Sequence, residues 1–99
     1  MGTNFDLFDF AELIQKRPGS GIDFSLCDGG VVYHIDRSRN FGIIVGIPDG
    51  VQSAITIPDY EDMEVWELAI SLDPFFLSTS RQNNERYDRN SIKVFSLTI

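Results

Sequence analysis

Residues that build covalent or metal cross-links are nearly missing from this chain of 99 residues, which contains one cysteine, Cys27, and one histidine, His34. A single cysteine excludes an internal disulfide, so we expect stability from packing alone and a reducing, cytoplasmic setting. His34 and Asp36 share one face of a predicted strand, but two ligands are too few for a closed metal site. The sequence therefore predicts no metal and no cofactor.

Long apolar runs and catalytic signatures are missing as well. No stretch approaches the roughly 18 apolar residues of a membrane-spanning helix, and residues 1–6 do not resemble a secretory signal. Gly42 and Gly46 flank Ile44 inside a predicted strand, so they do not form a phosphate-binding loop. No serine-nucleophile pattern is found either. We therefore expect no catalytic residues, no enzyme activity and no membrane association.

Basic residues are absent from the middle of the chain. Residues 40–80 contain seven acids and neither Lys nor Arg, whereas residues 1–39 carry six acids against four bases and residues 81–99 two acids against four bases. The charges of the two outer segments cancel, so the middle segment accounts for the whole net charge of −7. Such a field repels nucleic-acid phosphates and anionic membranes and attracts basic proteins.

The chain does contain enough apolar material for one core, with 42% hydrophobic residues including eight Phe. This length fits a single domain, residues 1–99. Apolar residues recur at helical spacing over residues 4–17, and this pattern predicts a helix there. Asp9 and Glu12 resemble a capping box, so the regular helix is expected to begin at Asp9.

Four short alternating segments with turn residues between them predict an antiparallel meander over residues 22–57. We expect the N-terminal helix to pack on its apolar face. The residues expected at this contact are Phe24, Tyr33, Ile43, Val45 and Ile55 from the strands, and Leu7, Phe10, Leu13 and Ile14 from the helix. A further strand is predicted at residues 92–98. The predicted class is therefore α+β, with about five to six strands and one N-terminal helix.

Residues 59–72 fit two patterns. Asp59 is suited to cap a helix, and apolar residues then share one helical face, which gives a second helix near 59–71. Trp66, Leu68, Ile70 and Leu72 also alternate with polar residues, as in a strand. The favoured interpretation is a helical turn at 59–64 followed by a strand at 65–72. The polar pattern of residues 78–91 predicts a surface loop. Its bases could form a nucleic-acid patch, but the net negative charge and the small size of the cluster argue against one, and pairing with the acidic segment within the fold is the alternative.

The acidic segment carries the functional hypothesis, because aromatic residues are interleaved with its carboxylates. Rings can anchor a basic partner while acids steer it, so the predicted partner-binding residues are Asp59, Tyr60, Glu61, Asp62, Glu64 and Glu67. Trp66 is either a further anchor or a core residue. The alternative for the whole segment is a solvated face that only keeps the domain soluble.

A compact acidic domain without catalytic signatures fits a bacterial immunity protein or antitoxin. Such an inhibitor would cover the basic cleft of a toxin nuclease without touching nucleic acid itself. Two other classes stay open. One is a phage-type anti-defence protein whose acidic face mimics nucleic acid, and the other is a small regulatory or scaffold module that joins a complex through a sheet edge.

Overall fold

The computed structural model describes residues 2–16, 21–38, 42–46, 52–55 and 57–98. Within these residues the domain is an α+β protein with six strands and two α-helices. In chain order these elements are β1 (Thr3–Phe5), α1 (Leu7–Lys16), β2 (Gly21–Ser25), β3 (Val32–Ser38), β4 (Gly42–Gly46), β5 (Gln52–Ile55), a one-turn 3-10 helix (Tyr60–Asp62), α2 (Val65–Gln82) and β6 (Ile92–Thr98). The predicted α+β class is confirmed.

The described strands form one antiparallel sheet in the order β1-β6-β2-β3-β4-β5. Strands β2 to β5 are consecutive neighbours, so the predicted meander is confirmed. An exposed turn at Asp28 and Gly29 joins β2 to β3, and Gly29 takes a positive φ of 74°. Because L side chains rarely adopt such a φ, glycine suits this turn. The predicted strand at 92–98 is also confirmed, and it lies between β1 and β2.

Alternate residues of the central strands form the base of the core. Phe24 pairs across the ladder with Tyr33, and Ile22 pairs with Ile35. All four side chains are buried, as expected from the period of two in a strand. Of the other strand residues expected here, Ile55 is partly buried against this cluster. Ile43 and Val45 lie in β4, but the structure does not describe their side chains.

Helix α1 covers this apolar face, as predicted. Phe10 and Ile14 are buried, and Leu7 and Leu13 pack against the same cluster. The ring of Phe10 lies 5.0 Å from the ring of Phe24, measured between centroids. The predicted packing of the N-terminal helix is therefore confirmed.

The start of α1 differs from the prediction. Asp6 rather than Asp9 caps the helix, since its Oδ1 accepts a hydrogen bond of 2.8 Å from the backbone N–H of Asp9. This is the side-chain cap that Asp provides to the first turn. Asn4 and Phe5, which lie inside the predicted helix 4–17, belong with Thr3 to the short edge strand β1 instead.

Helix α2 overturns the favoured interpretation of residues 65–72. Residues 65–82 are continuously helical, so the helical alternative is correct from Val65 onward and the predicted loop begins five residues later than expected. The helical turn predicted at 59–64 corresponds to the 3-10 helix Tyr60–Asp62, which the extended residues Met63 and Glu64 separate from α2. Leu68, Leu72 and Phe76 are buried at helical spacing against α1 and the sheet. The ring of Phe76 lies 5.9 Å from that of Phe10 and 5.6 Å from that of Phe24.

Candidate protein-binding surface

The five carboxylates of the predicted site cluster around the entry to α2. We call Asp59, Glu61, Asp62, Glu64 and Glu67 the acidic turn. Four of them are exposed, and Glu61 is half-buried. Asp59 takes a left-handed conformation before the 3-10 helix, Glu64 is the N-cap of α2, and Glu67 lies in its first turn. Acids at a helix N-terminus are stabilised by the helix dipole, so this end of α2 tolerates concentrated negative charge.

Tyr60 lies in the core rather than on the surface. Its side chain is 1% exposed and belongs to the main apolar cluster. An aromatic anchor for a partner has to be accessible, so the proposed anchoring role of Tyr60 does not fit this fold. Tyr60 instead fixes the acidic turn to the domain, together with Met63, which packs against the same cluster.

A side chain from α1 secures the turn from the other side. The Nε2 atom of Gln15 donates hydrogen bonds to the backbone carbonyl oxygens of Tyr60, at 3.0 Å, and Met63, at 2.7 Å. These two bonds bridge the carbonyls on either side of Glu61 and Asp62. The carboxylates are therefore held on an ordered backbone, and this preorganisation lowers the conformational cost of binding.

Trp66 and Ile70 are the exposed apolar residues beside the acidic turn. Their exposed fractions are 55% for Trp66 and 63% for Ile70, so Trp66 is not a core residue. They are separated by four positions and therefore share one side of α2. Tryptophan is a frequent anchor at protein interfaces, and in the sequence Trp66 stands between the exposed Glu64 and Glu67. The structure thus supplies an accessible ring in this segment at Trp66.

The same side of α2 continues toward the C-terminal end of the helix. Trp66, Ile70, Pro74, Leu77 and Arg81 follow at helical spacing, and we call them the outer stripe. Pro74 and Arg81 are exposed, and Leu77 is half-buried. A shallow open depression at this end is lined by Pro74, Leu77, Ser78, Arg81 and Gln82. Helix α2 therefore presents apolar residues on both sides, one toward the core and one toward solvent.

The predicted basic loop is tied to the domain by several contacts. The carboxylate of Glu85 accepts hydrogen bonds from the backbone N–H of Val31, at 2.6 Å, and from the hydroxyl of Tyr33, at 3.3 Å. Burial, together with the nearby charge of Glu85, raises the pKa of Tyr33 to about 12 even though a hydrogen bond from Asn83 opposes the shift. This segment therefore has an ordered structural role.

The ion pair that the structure describes for this loop joins Arg89 to Asp73 in α2, and Asp73 is not part of the acidic turn. Arg89 Nε donates to Asp73 Oδ1 at 3.2 Å, and Tyr87 donates its hydroxyl to the same oxygen at 2.7 Å. Burial by itself would raise the pKa of Asp73, but these two hydrogen bonds and the charge of Arg89 hold it below its usual value. Arg81 and Arg86 are exposed.

His34 and Cys27 lie apart from the acidic turn. His34 Nδ1 lies 2.5 Å from Asp23 Oδ1 across the β2–β3 ladder, and the side chain of Asp36 is not described. Cys27 is buried. Among the described residues, no group of three or more His, Cys, Asp or Glu side chains is arranged to hold a metal ion. In the described part of the chain, no helix is both long and apolar enough to cross a membrane.

Comparison with protein-family models, curated proteins and solved structures finds no match. The class that the geometry defines is an acidic α+β domain in which helices cover one side of an antiparallel sheet. Its most conspicuous described surface combines the acidic turn with the exposed outer stripe of α2.

Proposed function

We propose that this domain is a non-catalytic inhibitor of the immunity-protein or antitoxin type, which neutralises a basic partner such as a toxin nuclease by covering its active cleft. One observation carries the proposal. Trp66 is exposed in the first turn of α2, next in the sequence to the exposed Glu67 and two residues from Glu64, so a partner can reach an aromatic ring close to these carboxylates.

The charges suit a partner that binds nucleic acid. A nuclease needs a positively charged cleft to hold phosphates, and a strongly acidic protein is attracted to the same cleft. The net charge of −7 steers the approach, while the acidic turn provides the local contacts. Lysines and arginines of the partner would pair with the exposed carboxylates, and the Trp66 ring could also stack on a guanidinium.

The alternative of a nucleic-acid mimic is less well supported. A mimic needs negative charges repeated along an extended face, as phosphates are along a strand. On α2, the acids near Glu64 give way to the apolar Ile70 and then to the basic Arg81. A mixed acidic and apolar surface suits the side chains of a folded protein better than it imitates a uniform backbone.

The first experiment is to find the partner and measure its binding kinetics. A tagged domain is used to capture partners from the source cell, and mass spectrometry identifies them. Replacing Asp59, Asp62, Glu64 and Glu67 by Lys should slow association at least tenfold with a smaller change in dissociation, because steering acts before contact. Surface plasmon resonance measures both rates.

The role of the aromatic ring is tested separately. Trp66→Ala should mainly accelerate dissociation, since an anchor acts only once the surfaces touch. Phe8→Ala is the matched control, because Phe8 is 48% exposed on α1, outside the proposed surface. For the variant in which Asp59, Asp62, Glu64 and Glu67 are replaced by Lys, unchanged rates and an unchanged salt dependence would show that the acidic turn is only a solvated face. This result would refute the proposal.

A further inference from the structure

We infer that the outer stripe of α2 is a self-association surface, on which a second copy of the chain packs its own α2 in antiparallel orientation. This inference goes beyond the proposed function and does not depend on the identity of the partner. It rests on the apolar content, the shape and the charges of this one side of the helix.

The apolar content comes from the outer stripe. At 100° per residue, positions 66, 70, 74, 77 and 81 fall within a narrow sector of the helix, opposite the buried Leu68, Leu72 and Phe76. An apolar stripe along an exposed helix is the pattern by which two helices recognise each other. The half-exposed Trp66 and the still more exposed Ile70 gain most from being covered.

The shape of the stripe is complementary to itself. Trp66 gives its N-terminal end a large exposed ring, while its C-terminal end carries the shallow open depression lined by Pro74, Leu77, Ser78, Arg81 and Gln82. Ser78 follows Trp66 by about three turns, so the ring and the depression are about 18 Å apart along the helix axis at a rise of about 1.5 Å per residue. An antiparallel partner would place each Trp66 in the depression of the other copy and Ile70 against Pro74. Because the contact is two-fold symmetric, each of these interactions occurs twice in the dimer.

The charges favour the same orientation. The acidic turn lies at one end of α2 and the exposed Arg81 at the other. Antiparallel packing brings Glu64 and Glu67 of one copy toward Arg81 of the other, whereas parallel packing would bring the two acidic turns together. The geometry therefore points to an isologous pair with an apolar centre and an ion pair at each end.

The first test is the oligomeric state. Sedimentation equilibrium over about a hundredfold range of concentration should show a monomer of 11.2 kDa passing to a species of twice that mass. Ile70→Glu should abolish this transition. Phe8→Glu makes the same chemical change at an exposed apolar residue of α1 and should leave it intact. Circular dichroism checks that both variants fold. A wild type that stays monomeric throughout, or equal effects of the two variants, would overturn the inference.

The second test is the orientation. The variant Glu64→Arg/Glu67→Arg and the variant Arg81→Glu should each self-associate at least tenfold more weakly than the wild type. The first variant also carries less net negative charge, which by itself would favour association, so its weakening reports the local contact. A mixture of the two variants should recover a heterodimer, detected by native mass spectrometry. If each variant alone self-associated as strongly as the wild type, or if the mixture formed no heterodimer, the antiparallel arrangement would be excluded.

The salt dependence distinguishes self-association from partner binding. Salt screens both the repulsion between the two chains of net charge −7 and the ion pairs at the ends of the contact, but it does not weaken the apolar centre, so the dimer should persist from about 0.05 to 0.5 M salt. A complex with a basic partner should weaken over the same range. A dimer that dissolves in high salt would contradict the apolar contact, and it would leave the proposed inhibitor function unaffected.

Discussion

At the scale of single residues, Asp73 shows how a carboxylate within α2 is used for stability. It is partly buried, and it accepts hydrogen bonds from Tyr87 and Arg89, which lie beyond the end of the helix. The folded-state pKa of Asp73 lies below its ordinary value. The stability it contributes is therefore fully present above the unfolded pKa, near 3.9, and is lost as the pH falls through the folded pKa.

Tyr87→Phe should lower the free energy of unfolding by about 1 kcal/mol at pH 7, because a hydrogen bond to an ionised carboxylate is lost. It should also move the pKa of Asp73 up toward its ordinary value. The difference between variant and wild type should then shrink as the pH falls below about 3.9, the ordinary pKa of an aspartate, toward the lower folded-state pKa of Asp73. Urea unfolding at pH 7 and in acid below that range measures this difference. An equal loss at both would mean that the ionised form of Asp73 is not what Tyr87 stabilises.

At the scale of the elements, α1 offers a direct comparison between a buried and an exposed ring. Phe10 is in contact with Phe24 and Phe76, whereas Phe8 faces solvent. Phe10→Ala should reduce the free energy of unfolding by about 3–5 kcal/mol, through lost burial and the cavity that remains. Phe8→Ala should change it by less than about 0.5 kcal/mol. Chemical denaturation compares them, and similar losses would mean that α1 is not docked on the sheet.

The meander and α1 could be predicted from the sequence because their apolar residues follow one period and face one side. Helix α2 could not, and the physical reason is the outer stripe. Trp66 and Ile70 lie on the solvent side of the helix, while Leu68 and Leu72 lie on the core side. Together these two sides place an apolar residue at every second position, which is the pattern of a strand. Pro74 inside the helix weakens the helical pattern further, since proline is unfavourable there.

The acidic segment was singled out by its charge and its interleaved aromatic residues, but which of these aromatic residues is exposed could not be predicted. Tyr60 and Trp66 stand in similar acidic surroundings in the sequence, yet one is buried and the other exposed. Only the path of the chain from the 3-10 helix into α2 separates them. Gln15, which fixes this path through two backbone carbonyls, is 45 positions or more away in the sequence and carried no local signal.

At the scale of the whole molecule, the two proposed uses of α2 compete. Trp66, Glu64 and Glu67 contribute to both the acidic surface for a partner and the contact with a second copy. A basic partner in excess should therefore convert dimers into one-to-one complexes, which size-exclusion chromatography with light scattering would measure. Ile70→Glu, which removes the dimer, should increase the apparent affinity for the partner at high protein concentration. Complexes that retain two copies of the domain would contradict this competition.

The position of β6 has a consequence for how the domain is made. β6 pairs with β1 on one side and with β2 on the other, and it contributes Ile92 and Val94 to the core. During synthesis the meander and both helices leave the ribosome before β6 does. Until then β2 has an open edge, and β1 has no neighbour in the sheet. Contacts between residues so far apart in sequence form slowly, so the nascent domain should depend on its late-emerging strand to close the sheet and to hide an edge that other chains could occupy.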